Sequence, residues 1–314
     1  MVFHIYYMKL LKKLCEIHAP SGSEDVMSQF LLKHIKKEQK NWKVQPEILM
    51  GEDFQDCIIL VFGKPKTAIF AHMDSVGYTV GYNNNLIKIG GPSAKKGVKL
   101  VGEDSQGKIV CELDAKEDEH QFLTYSAKYK RILDRGTTLT YLPDFREDKA
   151  YVQCCYMDNR LGIWNALEVA KTLENGAIVF SAWEEHGGGS VGYLAKFLYE
   201  GFGVKQALIS DITWVTEGVK HGKGVAISMR DSGIPRKSYI NKIIALATKS
   251  KIPFQLEVES AGGSDGNALQ RSPYPFDWCF IGAPEDNVHS PDEKVHKKDI
   301  KAMVEMYEYL MKML

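Results

Sequence analysis

The chain has 314 residues, enough for one large domain or two of ordinary size, and 44% of them are hydrophobic. Its 40 lysines and arginines balance 40 aspartates and glutamates, so the formal net charge is +0. This balance provides no long-range attraction to a polyanion, which argues against nucleic acid or an anionic membrane as a partner.

The chain contains 6 cysteines, and none of them forms a C-x-x-C pair, which argues against a cysteine-bound zinc cluster. Cys57, Cys111 and Cys279 lie in apolar runs and are predicted to be small buried hydrophobic residues. The sequence also lacks the pattern of a signal peptide and any apolar stretch of membrane-spanning length. We therefore expect a reduced, soluble, cytoplasmic protein.

Apolar residues at helical spacing predict a first helix around residues 10–17. Residues 19–22 break this pattern, and Ser23 is the predicted N-cap of a second helix that carries Val26, Phe30, Leu31 and Ile35. Two short runs follow, at residues 56–62 and 67–71. Both are rich in β-branched residues, which is typical of buried strands.

Residues 76–153 differ in composition from the preceding segment, with frequent glycine, lysine and aspartate. Short alternating segments occur at 86–89, 108–113 and 137–141, with no long helical pattern between them. Closely spaced short strands with turn residues predict a small all-β insert, either a barrel or a sandwich.

Helical and strand patterns alternate again after Asp158. Helices are predicted at 161–173, 191–198, 238–250 and 297–313, and strands at 176–182, 207–210 and 278–281. Such alternation predicts an α/β sheet covered by helices on both faces. We expect a main α/β domain formed by residues 1–75 and 154–314, interrupted by a barrel-like β insert at residues 76–153.

A histidine and an aspartate directly follow the strand predicted at 67–71, in the segment Ala71-His72-Met73-Asp74. Sites in open α/β sheets form beyond the carboxyl ends of strands. Two residues apart in an extended segment, these side chains project to the same side, so one can bind a metal while the other orients it. A strand-end histidine followed by a turn aspartate is the alternative interpretation.

Two adjacent glutamates, Glu184 and Glu185, follow the strand predicted at 176–182 and precede a glycine-rich turn. Two charges at the end of a core strand are costly unless they are paired or bind a cation. Because neighbouring strand side chains point apart, one glutamate is expected to bind metal and the other to face the substrate as a general base. A solvated strand end is the alternative.

Three further polar residues occupy similar places. Asp158 opens a predicted helix, where it can act as an N-cap or bridge two cations. Asp211 ends the strand at 207–210, and His289 follows the strand at 278–281 through an acidic loop. Together with His72 and the glutamates, they form the imidazole and carboxylate set that binds zinc, cobalt or manganese.

An ordered series of motifs makes the chain similar to the tetrahedral (TET-type) glutamyl/leucyl aminopeptidases, two-metal peptidases of which some are named endoglucanases. The motifs extend over nearly the whole chain: A-H-M-D at 71–74, D-N-R-L-G at 158–162, E-E at 184–185 with a glycine at 187, D-I-T at 211–213, G-K-G at 222–224, G-G-S-D at 262–265, and I-G at 281–282 leading to H-S-P at 289–291.

The resemblance implies two divalent ions per subunit, zinc being the first choice and cobalt or manganese the others. His72 and Asp211 are expected to bind one ion, Glu185 and His289 the second, and Asp158 to bridge them. It also implies a zinc-peptidase-like mixed sheet that carries the β insert.

By the same resemblance, Glu184 is the general base and Asp74 orients His72. The implied activity is the removal of N-terminal residues from peptide substrates. The implied assembly is a homo-oligomer such as a hollow tetrahedral dodecamer, in which the insert would serve oligomerisation or substrate access.

The chain departs from the family pattern at Ser75, at His186 and in the loop at 285–288, which includes Glu285, Asp286 and Asn287. These departures concern substrate preference and assembly contacts rather than the ligands. The acidic loop suggests a basic N-terminal residue in the substrate, and a solvated loop is the alternative.

Other functions remain open at this point. A related two-metal deacylase or carboxypeptidase would use the same ligands, and a glycosidase would use Glu184 and Glu185 as paired carboxylates. Glycosidase carboxyl groups face one another across about 5–9.5 Å, which adjacent strand residues pointing apart fit poorly. A catalytically silent assembly module is the remaining alternative.

Overall fold

The computed structural model describes residues 2–93, 95–117 and 123–314. Its helices are α1 (Val2–Cys15), α2 (Asp25–Glu38), α3 (Met157–Ala170), α4 (Val191–Phe202), α5 (Lys237–Ser250), α6 (Asp265–Arg271) and α7 (Lys297–Met313). Among the residues so described, no helix combines the length and the apolar character needed to cross a membrane.

The strands are numbered in chain order. They are β1 (Glu47–Leu49), β2 (Ile58–Phe62), β3 (Thr67–His72), β4 (Gly77–Val80), β5 (Asn85–Ile89), β6 (Lys99–Asp104), β7 (Gly107–Glu117), β8 (Leu123–Lys128), β9 (Thr138–Tyr141), β10 (Arg146–Glu147), β11 (Tyr151–Gln153), β12 (Gly176–Ser181), β13 (Gln206–Trp214), β14 (Val225–Arg230), β15 (Phe254–Val258), β16 (Asp277–Asp286) and β17 (Lys294–His296).

A large mixed sheet organises the main part of the chain, with the strand order β1-β2-β12-β3-β13-β16-β17-β11-β10. The central strands β12, β3, β13 and β16 run parallel to their neighbours in that group. Antiparallel pairs flank them, β2 on β12 at one side and β17 on β16 at the other, while β14 also pairs with β16. The carboxyl ends of the parallel strands therefore meet at one edge, where a site is expected.

Each central strand contributes to two cores because successive side chains point to opposite faces of the sheet. In β2, Ile58, Leu60 and Phe62 pack in a core shared with α1, α2, α3, α5 and α7. Ile59 and Val61 pack in a second core with residues of α4 and α6. This confirms the prediction of a sheet covered by helices on both faces.

The β insert is a closed barrel with the strand order β4-β5-β8-β7-β6-β9. Its first and last strands pair antiparallel, with Tyr78 opposite Leu139, so the barrel closes on itself. Of the two predicted forms, barrel and sandwich, the barrel is found. The short strands β10 and β11, which also fall within residues 76–153, instead join the main sheet through β17.

One predicted cap is wrong. Helix α2 begins at Asp25, and the residue at its N-cap position is Glu24, whose side chain makes no capping hydrogen bond. Ser23 lies in the preceding turn, where its backbone N–H donates to the carbonyl of Pro20. The Glu24 carboxylate is instead directed to another part of the chain, described below.

Candidate active site

His72 is the last residue of β3, and its imidazole is almost fully buried. Its Nδ1 atom lies 3.3 Å from Asp74 Oδ1, on the side away from the other acidic groups. Its Nε2 atom lies 3.2 Å from Asp158 Oδ1 and 3.5 Å from Asp211 Oδ2. Asp74 therefore lies on the Nδ1 side of His72, and Asp158 and Asp211 lie on its Nε2 side.

Asp158 lies between the two histidines of the site. Its Oδ1 atom faces His72, and its Oδ2 atom lies 3.2 Å from His289 Nε2. Its backbone is extended rather than helical (φ −77°, ψ 106°), although it falls in the first turn of α3. The carboxylate is thus free to extend toward both imidazoles, and it does not serve as a helix cap.

Asp211 was predicted to end a strand, and that placement is wrong. It lies inside the nine-residue strand β13, which continues to Trp214 along β16. The pairing of β13 with β3 ends at Ile209, opposite Phe70. Two residues beyond the last pair, Asp211 Oδ2 lies 3.5 Å from His72 Nε2, at the end of β3.

Glu184 and Glu185 do not alternate along a strand, which corrects the geometric argument made from the sequence. Strand β12 ends at Ser181, and Trp183 has a left-handed backbone (φ 62°) that leads into a single 3-10 turn, Glu184–His186. Both carboxylates consequently face the same cluster. Glu184 Oε2 lies 3.9 Å from His72 Nε2, and Glu185 Oε2 lies 3.1 Å from His289 Nε2.

His289 follows β16 and is held by the barrel insert. Its Nδ1 atom lies 3.2 Å from the carbonyl oxygen of Gly91, so it can donate a hydrogen bond there and leave Nε2 free for Asp158 and Glu185. The carbonyl of His289 accepts hydrogen bonds from the Ser93 amide and the Tyr141 hydroxyl. The insert therefore orients one of the two imidazoles of the site.

The donor atoms form two groups of three, and Asp158 belongs to both: His72, Asp158 and Asp211, and Asp158, Glu185 and His289. Within each group the candidate ligand atoms lie within 4.8 Å of one another. Asp158 Oδ1 and Glu185 Oε1 are buried and have no hydrogen-bond partner among the described residues. Imidazole nitrogens beside such carboxylates fit divalent zinc, cobalt or manganese.

Crowding of carboxylates in a buried space shifts their protonation. Burial raises the pKa of Glu185 to about 7 and that of Asp211 to about 6, with the nearby Asp158 charge adding to both shifts. Burial alone would lower the pKa of His289, but its contacts with Asp158 and Glu185 outweigh this and raise it to about 12. Such a cluster releases protons when a cation binds, because ligands must be deprotonated.

A cavity of about 260 Å³ opens onto this cluster. Beyond the metal-binding candidates and Glu184, three more acidic residues line it, namely Asp231, Glu257 and Glu259. Asp231 and Glu257 are more than nine-tenths buried, and Glu257 accepts a hydrogen bond from the Thr213 hydroxyl. Within the described part of the chain, no lysine or arginine lines the cavity.

Two buried residues that support the cluster were not assigned a role from the sequence. The Arg160 guanidinium donates to the carbonyl oxygens of Met73 and Asp74, which fixes the segment after β3. Glu293 accepts a hydrogen bond of 3.2 Å from the backbone N–H of Asp158. Arg160 belongs to the D-N-R-L-G motif at 158–162, which is a signal for a role near the site. Glu293 has no local sequence pattern that distinguishes it.

Two of the departures from the family pattern, Ser75 and His186, lie outside the lining of the cavity. Ser75 is buried, and its hydroxyl donates to the carbonyl of Ala19 at 3.4 Å. The Nδ1 atom of His186 accepts a hydrogen bond from the amide of Gly90, in the insert.

The acidic loop predicted at 285–288 is a loop only in part, because Glu285 and Asp286 end β16, while Asn287 is exposed. Glu285 is a buried residue of β16, and both of its carboxylate oxygens have no hydrogen-bond partner among the residues described. Asp286 Oδ2 lies 3.0 Å from His221 Nε2, and the side chain of Asn287 donates to the carbonyl of Asp292. None of these three residues lines the cavity, whereas the next residue of the loop, Val288, does.

Comparison with known proteins gives a consistent result. The family model described as M42 glutamyl aminopeptidase matches residues 125–306. A curated relative from Acetivibrio thermocellus, described as a candidate aminopeptidase, is 25% identical over 95% of this chain and 96% of its own length.

Among solved structures, a TET aminopeptidase from a marine-sediment thaumarchaeon superposes with a TM-score of 0.85 at 18% identity, over 99% of this chain and 97% of that chain. A Pyrococcus horikoshii TET1 peptidase, which can assemble into a tetrahedron or an octahedral shell, has a TM-score of 0.79 at 21% identity, over 97% of this chain and 99% of that chain. At these identities the structural likeness establishes a shared fold.

Proposed function

Because the chain belongs to the M42 glutamyl aminopeptidase family, whose model matches more than half of its residues, we propose that it is a two-metal aminopeptidase acting at the site described above. The observation that carries this proposal is the position of Asp158. Its two oxygens face two different imidazoles, and each imidazole has a further carboxylate beside it. This is the arrangement needed for two ions that share one ligand.

In this proposal His72 and Asp211 would hold one ion, Glu185 and His289 would hold the other, and Asp158 would serve as a ligand in both groups. Asp74 Oδ1, 3.3 Å from His72 Nδ1, would hold the proton of the imidazole on Nδ1 and so leave Nε2 free for an ion. Two divalent ions bound here would supply Lewis acidity, which polarises a peptide carbonyl and acidifies a water molecule.

Glu184 is the proposed general base. Its carboxylate borders the cavity but belongs to neither ligand group, so it can face a substrate. It would take a proton from the attacking water and later deliver that proton to the leaving amine. A carboxylate near the substrate can serve both steps because the same oxygen atom accepts and returns the proton.

The proposed activity is tested with aminoacyl anilides. We expect hydrolysis of a substrate with a free α-amine, and at least about a hundredfold less hydrolysis of the same substrate after N-acetylation. Dialysis against a chelator should abolish turnover, and zinc, cobalt or manganese should restore it. Equal turnover of free and acetylated substrates would contradict an exopeptidase, and full activity after chelation would contradict metal dependence.

The acidic lining of the cavity favours substrates with a basic N-terminal residue. The carboxylates that would attract this residue are those of Asp231, Glu257 and Glu259, and not those of Glu285 and Asp286. Two unit charges 4 Å apart interact by about 4 kcal/mol at an effective dielectric constant of 20. An interaction of this size is more than enough for a tenfold preference for a basic over a neutral N-terminal residue, since each 1.4 kcal/mol corresponds to about a factor of 10.

We therefore expect kcat/KM for lysyl and arginyl anilides to exceed that for glutamyl anilide by at least about tenfold. Asp231→Asn and Glu259→Gln should each narrow this ratio while leaving hydrolysis of alanyl anilide unchanged. Glu103→Gln, on the exposed surface of β6, is the matched control and should leave the ratio unchanged. A preference for glutamyl anilide would show that these carboxylates do not select the substrate.

A homo-oligomer is also part of the proposal. Assembly into a tetrahedron or an octahedral shell is described for the TET1 peptidase of similar fold. Large apolar side chains are exposed on the barrel insert, among them Tyr82, Ile87 and Val110, which suits a role of the insert in contacts between subunits. Light scattering measures the molar mass of the purified protein directly, and the mass of a monomer would exclude the homo-oligomer.

A further inference from the structure

The turn that carries Glu184 is held by side chains through four consecutive backbone amides. The Ser190 hydroxyl accepts from the amide of Ala182 at 3.0 Å. Glu24 Oε1 accepts from the amide of Trp183 at 3.0 Å. Asp74 accepts from the next two amides, from Glu184 through Oδ1 at 3.1 Å and from Glu185 through Oδ2 at 3.0 Å.

This turn needs external support because its backbone is unusual. Trp183 has φ 62°, a left-handed conformation that a residue with a Cβ atom rarely adopts unless its surroundings enforce it. The amides of Ala182 through Glu185 also follow the end of β12, so strand pairing does not satisfy them. Charge-assisted hydrogen bonds to carboxylates are stronger than neutral ones, and they can fix such a turn.

Glu24 is distinctive among these supports. It is fully buried, it precedes α2, and it lies 159 residues away in sequence from the amide that it holds. Its Oε2 atom has no hydrogen-bond partner, and no lysine or arginine forms an ion pair with it, within residues 2–93, 95–117 and 123–314. A buried carboxylate without a cationic partner is costly, so hydrogen bonds from backbone amides, that of Trp183 among them, have to compensate.

Glu24 does not line the cavity, and it belongs to neither group of candidate ligands. Asp74 holds the amides of both glutamates and also contacts His72, so its loss would disturb a ligand and the base together. The Glu24 side chain meets this turn at the amide of Trp183, the residue before Glu184. Its effect should therefore fall on the orientation of Glu184 more than on metal binding.

We propose that Glu24 is a positioning residue for Glu184, which it holds in place through the backbone of Trp183. This inference rests on the proposed role of Glu184 as general base. The turn has a neighbouring support in Ser21, whose hydroxyl donates to Asp74 Oδ2 at 2.6 Å. The loop between α1 and α2 thus supports the active site through two contacts. Ser21 contacts Asp74, and Glu24 contacts the backbone of Trp183, the residue before Glu184.

The test compares Glu24→Ala with Glu24→Gln in the metal-loaded enzyme. Glu24→Ala should lower kcat by about tenfold to a hundredfold, because a small misplacement of a catalytic group has effects of that size. KM and the number of bound metal ions should stay unchanged. Glu24→Gln should recover most of the lost kcat, since its amide oxygen can accept the same hydrogen bond from Trp183.

Glu168→Ala is the matched control. Glu168 is also a buried glutamate, it lies on α3, and its carboxylate is paired with Lys171 at 2.6 Å. This variant should lower the melting temperature without changing kcat. A role of Glu24 limited to general stability predicts the same pattern for Glu24→Ala, and that result would overturn the inference.

A double-mutant comparison separates this inference from the proposed function. In the Glu184→Gln background, Glu24→Ala should cause little further loss, because the group that it positions is already disabled. A full additional loss in that background would overturn the positioning role. If Glu184→Gln alone kept full activity, the assignment of Glu184 as the general base would be wrong. If Glu184→Gln were inactive and Glu24→Ala fully active, Glu184 would remain the proposed base and only the positioning role of Glu24 would be wrong.

Discussion

Glu184→Gln is expected to lower kcat by between about 10² and 10⁴ while both metal ions remain bound. The amide cannot accept the proton of the attacking water, but it has nearly the same shape as the carboxylate. Glu184 belongs to neither ligand group, and its Oε2 atom lies 3.9 Å from His72 Nε2, farther than Asp158 or Asp211. Metal analysis and steady-state kinetics on the same preparation measure both quantities.

Glu185→Gln is the natural comparison for this variant, since the two residues are adjacent in one 3-10 turn. Glu185 Oε2 lies 3.1 Å from His289 Nε2, so its amide form should weaken metal binding as well as activity. Two variants that both lose metal, or both keep it, would contradict the distinct roles assigned to the two glutamates.

Asp158→Ala is expected to remove both ions, because Asp158 is the one residue shared by the two candidate ligand groups. His289→Ala should remove one ion and leave the group formed with His72 and Asp211. Loss of an outer partner of a metal ligand already weakens binding by about 10–100-fold, so loss of a shared ligand should exceed that. Metal content should fall from about two ions per chain to below one for Asp158→Ala.

Thermal unfolding gives a second measurement of the same prediction. A ligand that binds only the folded protein stabilises it by RT ln(1 + [L]/Kd), so zinc should raise the melting temperature of the wild type. This rise should nearly disappear in Asp158→Ala and persist in part in His289→Ala. Equal zinc responses in the wild type and Asp158→Ala would rule out a bridging role for Asp158.

Much of the fold was predictable because its determinants are local patterns. The strands at residues 58–62, 67–72 and 176–181 are continuous apolar runs, and they pair side by side at the centre of the sheet. The insert was recognisable from its short alternating segments, which form β5, β7 and β9. Patterns of this kind reflect burial of individual residues, and neighbours in sequence are enough to reveal them.

The extent of the strands was less predictable, because it depends on partners that are distant in sequence. Asp211 and Glu285 both lie inside strands, since β13 and β16 pair with each other for nine residues. A carboxylate in a strand interior looks like a strand end when only the local sequence is considered.

In the site, too, local sequence patterns were informative and contacts between distant parts of the chain were not. The candidate ligands and Glu184 belong to ordered motifs, so they were candidates from the sequence, and the structure brings them together. The supports Glu24 and Glu293 each act on a backbone amide more than 100 residues away, and no local pattern marks such a contact. The alternation argument for Glu184 and Glu185 was wrong because a left-handed residue, Trp183, ends the strand before them.

The closure of the barrel on itself also bears on how the chain folds. His72 and Asp158 lie on either side of the insert, so bringing them together closes a long loop. Once β4 has paired with β9, only roughly 20 residues outside the barrel separate them instead of roughly 85, which reduces the entropy lost on loop closure by about 1 kcal/mol. An insert that folds first would therefore shorten the loop that has to close before His72 and Asp158 can meet.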